Sequence, residues 1–74
     1  MNNKRRIALR QAIRLLTKAS DILQSAADEE QDALDNIPAN LEGSSLFDTM
    51  SQNVETLEDA AEAAYDLAER IGEL

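Results

Sequence analysis

A chain of 74 residues with no cysteine and no histidine cannot build a large private core, close a disulfide or offer imidazole to a metal. Fifteen carboxylates against seven bases leave a net charge of −8, which disfavours nonspecific contact with nucleic acid or an anionic bilayer and favours a basic partner. Phe47 and Tyr65 are the only aromatics, so a scaffold this small needs a staple, and oligomerisation is the one its composition leaves open.

The N-terminal stretch holds Lys4, Arg5, Arg6, Arg10, Arg14 and Lys18, six of the seven bases, and no acid. From Asp21 onward lie all fifteen acids and a single base, Arg70. Arg10, Gln11 and Arg14 interrupt the early apolar positions, so no signal-peptide core or membrane-spanning run is present, and a soluble cytoplasmic protein without a membrane partner is expected.

Between Lys4 and Asp35 there is no Gly or Pro, and strong helix formers dominate, so one helix is expected over about residues 3–36. At 100° per residue, Leu9, Ala12, Ile13, Leu15, Leu16, Ala19, Ile22, Leu23, Ala26, Ala27, Ala33 and Leu34 share half the wheel. Arg6, Arg10, Arg14, Thr17, Lys18, Asp21, Asp28, Asp32 and Asp35 stand opposite, the exceptions being Glu30 on the apolar side and Ile7 on the polar side. Leu9, Leu16 and Leu23 alternating with Ala12, Ala19 and Ala26 give a heptad seam that lets a partner helix approach closely.

Pro38 lacks a backbone donor and biases Ile37 away from helix, so a loop over about 37–44 follows. Asn36, Pro38, Asn40, Leu41 and Ser44 form its motif, either closing the hairpin, with Ile37 and Leu41 sealing the core, or serving recognition. Ser45-Leu46-Phe47-Asp48 fits a capping box, with Ser44 as the alternative cap. A second helix is expected over about 45–72, with Gly72 as its stop. Its apolar half carries Leu46, Phe47, Met50, Val54, Leu57, Ala60, Ala61, Ala64, Leu67, Ala68 and Ile71. Its acidic half carries Asp48, Glu55, Glu58, Asp59, Glu62, Asp66, Glu69 and Glu73, with Arg70 the only base.

Two helices of ~40–50 Å joined by a short loop should form an antiparallel all-α hairpin. The apolar arc on each is wider than one seam requires, which points to a homodimer, two hairpins making a four-helix bundle. Leu9, Ile13, Leu15, Leu16, Ile22, Leu23, Phe47, Met50, Val54, Leu57 and Leu67 are the expected core and interface residues.

The like-charged i, i+4 ladder Arg6, Arg10, Arg14, Lys18 asks for an anion. An antiparallel hairpin brings it beside residues 58–73, which favours that register without an outside partner. Phosphate binding by the same ladder is opposed by the net charge and by the lack of stacking aromatics and helix-turn-helix spacing. The rival functional reading uses the acidic face Glu55, Glu58, Asp59, Glu62, Asp66 and Glu69 as a DNA mimic or host-protein inhibitor that occupies a basic site. Glu30 and the acids around it, without histidine, cannot build the usual bundle di-metal site. The serines lack a base partner, so Ser20, Ser25, Ser44, Ser45 and Ser51 read as surface or capping residues and no enzyme, cofactor or metal site is expected.

The run Asp35-Asn36-Ile37-Pro38-Ala39-Asn40-Leu41-Glu42-Gly43-Ser44, after an acidic stretch and before an Ala-rich acidic helix, resembles a family of small acidic proteins encoded by phages and other mobile elements of Gram-positive bacteria. Asn36, Pro38, Leu41 and Ser44 carry the resemblance. Where family members often continue with Glu-Arg, this chain has Ser45-Leu46. The likeness implies an accessory role in a mobile element and brings no activity with it.

Overall fold

The computed structural model describes residues 1–74. It contains two α-helices, α1 over Asn3–Asp35 and α2 over Ser45–Gly72, a 3-10 turn at Ala39–Leu41 between them, and no strand. The pair forms a rod measuring 60 × 14 × 13 Å.

Each helix end has a chemical cause. The Asn2 side chain accepts the Arg5 N–H at 2.9 Å and starts α1. At its other end Asn36 turns back on the helix, its side-chain amide donating to the Asp32 carbonyl at 2.7 Å. Pro38 then opens the 3-10 turn, where its carbonyl accepts the Leu41 N–H at 2.9 Å. Gly43, at φ +82°, is the only residue in the left-handed region. That reversal leaves Ser44 extended, at φ −73° and ψ 164°, and makes Ser45 the first helical residue. The Ser44 hydroxyl therefore accepts the Phe47 N–H at 3.2 Å, and the capping box expected at Ser45 to Asp48 gives way to the alternative cap one residue earlier. Gly72 stays within α2, which closes through the Glu73 N–H on the Arg70 carbonyl at 3.2 Å.

A Cβ at Gly43 would meet nothing within 4 Å, so substitution there meets backbone strain alone. Gly43→Ala is expected to cost about 1 kcal/mol, seen as a melting temperature roughly 4–8 °C lower by circular dichroism. An unchanged melting temperature would mean that the turn does not need the left-handed conformation.

The helices run antiparallel. The Ser20 hydroxyl donates to the Ala61 carbonyl at 2.7 Å, and the Asn53 amide donates to the Glu30 carboxylate at 3.0 Å, so positions rise along α1 as they fall along α2. The α1 seam consists of Leu9, Ile13, Leu16, Ser20, Leu23, Ala27, Glu30 and Leu34, every one buried or half-buried. Facing them, with the same alternation of three- and four-residue steps, are Phe47, Met50, Val54, Leu57, Ala61, Ala64, Ala68 and Ile71. Its centre is built from small residues: Ser20, Ala27, Val54, Ala61 and Ala68 are buried, and no large side chain is fully enclosed.

The seam differs from the expected one by a small rotation of α1. Ile13, Ser20 and Ala27 point at α2 in place of Ala12, Ala19 and Ala26, which are displaced to the flank and only half-buried. Ser20, expected on the surface, is the one buried polar residue. Its hydroxyl is tolerated there because the neighbouring backbone supplies an acceptor, and its small volume lets that backbone come close.

Candidate self-association face

The two long sides of the rod differ in chemistry. On one side, the groove between the helices is lined by Ser20, Asp21, Gln24, Glu58, Glu62 and Tyr65 among others. On the other, Ala26 and Leu57 meet with Glu29 and Glu30 at the loop end. Along this second side α1 presents Ala12, Leu15, Ala19, Ile22 and Ala26, and α2 presents Leu46, Asn53, Ala60 and Leu67, with the seam residues Leu57 and Ala64 at its edge. Leu15 is 61% exposed, Ile22 59%, Leu46 54% and Leu67 46%.

Those exposures divide the expected core set. Leu9, Ile13, Leu16, Leu23, Phe47, Met50, Val54 and Leu57 lie in the seam between α1 and α2. Leu15, Ile22 and Leu67 do not, because the seam has turned away from them. They lie on the apolar side, where Leu46 joins them. The positions 12, 15, 19, 22 and 26 repeat the three-four spacing of the internal seam, so α1 carries two adjacent heptad stripes, of which α2 covers one.

The acids Glu55, Glu58, Asp59, Glu62, Asp66 and Glu69 are all exposed, on the edge of α2 remote from its apolar flank. The basic ladder borders the polar side of α1 and is exposed as well. Ladder and acids share that side, yet none of the side-chain hydrogen bonds joins a base of α1 to an acid of α2. Arg6 instead donates to the Met1 carbonyl at 3.2 Å. The charge split thus acts between the helices as a field across solvent, a weak influence on stability at ordinary ionic strength.

In the loop motif, Asn36 and Ser44 are the two caps and Pro38 precedes the 3-10 turn. Ile37 is half-buried, whereas Leu41, expected to help seal the core, is exposed because the 3-10 turn carries it outward with Asn40. The acids of the loop end are spread along the helix: Asp28 accepts from Gln24 at 3.1 Å and Asp35 from Gln31 at 2.8 Å, and no three acids come together as metal ligands would. Neither helix is long and apolar enough to cross a membrane.

No family model matches the chain, and neither a curated protein nor a solved structure is significantly similar to it.

Proposed function

We propose that this chain is a non-enzymatic, self-associating helical module, a structural or adaptor element of the kind a phage or mobile element encodes, whose unit is a homodimeric four-helix bundle. One observation carries the reading: one side of the rod gathers the exposed side chains of Leu15, Ile22, Leu46 and Leu67, while off that side Ile7 and Tyr65 are exposed singly among polar residues. A lone hairpin in water gains nothing from that asymmetry, whereas two hairpins meeting on their apolar sides give every helix two covered stripes. The lack of a fully enclosed large side chain within one hairpin points the same way, since pairing adds the missing apolar burial.

Sedimentation equilibrium tests this directly. The expected species has twice the 8.1 kDa mass of the chain at micromolar concentration. A concentration-independent 8.1 kDa monomer would remove the proposal.

The acidic edge supports a second reading, an inhibitor that imitates a phosphate row and fills a basic site. What favours it is that Glu55, Glu58, Asp59, Glu62, Asp66 and Glu69 are all exposed and none accepts a hydrogen bond from a base. That edge faces away from the apolar side, so the bundle would display it and the two readings are compatible.

A further inference from the structure

The charge distribution on the rod specifies how a second copy must lie. Residues 1–18 and 63–74 make up the terminal half, with seven bases against three acids. The loop half, residues 19–62, holds twelve acids and no base. The rod is therefore electrically polar along its length, positive at the chain termini and strongly negative at the loop.

The border of the apolar side repeats this polarity locally. Lys4 stands eleven residues before Leu15, three full helical turns, and so continues the line of Leu15 and Ile22 toward the N-terminus. Glu29 continues the same line toward the loop, seven residues past Ile22. Arg5 continues the line of Ala12, Ala19 and Ala26 at the same end, and Glu30, at the edge of the internal seam where Asn53 donates to it, lies beside Ala26 and Glu29 at the other.

We propose that the two hairpins pair end over end, about a twofold axis perpendicular to the rod, so that each loop end covers the partner's terminal end. The inference rests on the self-association reading above and adds its orientation. In this arrangement α1 lies antiparallel on the partner's α1, and Lys4 and Arg5 reach the partner's Glu29 and Glu30. The apolar stripe suits that reversal. Its two large residues, Leu15 and Ile22, lie between alanines at 12, 19 and 26, so on reversal each large side chain meets the partner's alanine and the helices approach closely. The opposite arrangement, with both loops at one end, sets two clusters of twelve acids side by side and leaves Lys4 and Arg5 against the uncharged flank of α2.

The loop residue Ala39 is exposed and offers a place to measure this in a chain without cysteine. A spin label on Ala39→Cys is read by electron dipolar spectroscopy, with sedimentation of the same sample. End-over-end pairing of rods 60 Å long separates the two labels by about 50–60 Å. A dimer with labels within roughly 25 Å, the width of two packed helix layers, overturns the orientation and leaves self-association standing. A monomer overturns both. In a second test, Lys4→Glu with Arg5→Glu weakens dimerisation about three- to tenfold, and adding Glu29→Lys to that chain restores it. A charge reversal without effect on the dimerisation constant counts against the proposal.

Discussion

A chain carrying Leu15→Asp and Ile22→Asp together is expected to sediment as a monomer at concentrations where the parent is a dimer. Both side chains are more than half exposed in the hairpin, so the substitutions leave the α1 and α2 seam untouched. In the bundle they would be covered, and burying a Leu or Ile contributes ~1.5–3 kcal/mol. Four such residues are lost per dimer, and a charge is placed at each. Even after discounting for what the hairpin already covers, the loss is about 4–6 kcal/mol, which is a thousandfold or more in the dimerisation constant. A companion observation separates association from folding. Because only the folded dimer gains from mass action, the parent's melting temperature should rise with concentration and the variant's should not. If the double variant sediments with the parent's mass, the apolar side is not the interface.

How much of this was legible in the sequence can be judged at particular residues. The hairpin was, because each helix announces itself by uninterrupted propensity and the break by Pro38 with two asparagines and a glycine around it. The surplus width of the apolar arc was legible as well. What periodicity alone did not decide was which of two neighbouring stripes on α1 faces α2. The set with Ala12, Ala19 and Ala26 is wholly apolar, whereas the set that packs has Ser20, which a hydrophobicity count assigns to solvent; Glu30, seven residues past Leu23, continues the line common to both and is legible on the apolar side. The polar members fit because specific partners on α2 exist, the Ala61 carbonyl for one and the Asn53 amide for the other, and such pairings depend on three-dimensional register. The cap at Ser44 was legible only as the alternative for a related reason. Of two successive serines only Ser45 has an acid three residues on, yet the left-handed turn at Gly43 makes Ser44 the cap.

The charge split changes meaning once the faces are known. Within one hairpin the basic ladder and the acids of α2 share a side without touching. The part of the split that borders the apolar side includes Lys18 and Asp21 beside Ile22 and, at the two ends, Lys4 and Arg5 against Glu29 and Glu30, these end groups separated by most of the length of α1. Charges so far apart on one rigid helix cannot satisfy each other within the chain. A reversed copy brings them together, so the same polarity that is idle in the monomer becomes informative about orientation in the dimer.

The close approach at the centre of the internal seam sets the other large effect, expected for Ala61→Leu. Ala61 is buried, and its carbonyl accepts the Ser20 hydroxyl at 2.7 Å, so the two backbones leave no room for three more carbons. Overpacking of this kind costs typically ~1–3 kcal/mol. Spreading the helices to relieve it also leaves the Ser20 hydroxyl without its acceptor, a further ~1–3 kcal/mol for a buried polar group. A domain of this length has only about 4–11 kcal/mol to lose. The melting temperature should therefore fall by at least about 10 °C, or the hairpin should fail to fold at room temperature. Ala63→Leu, at an exposed position two residues on, is the control and should melt near the parent. An Ala61→Leu chain as stable as that control would mean that the seam is loosely packed, and with it the argument that small residues hold these helices together would fail.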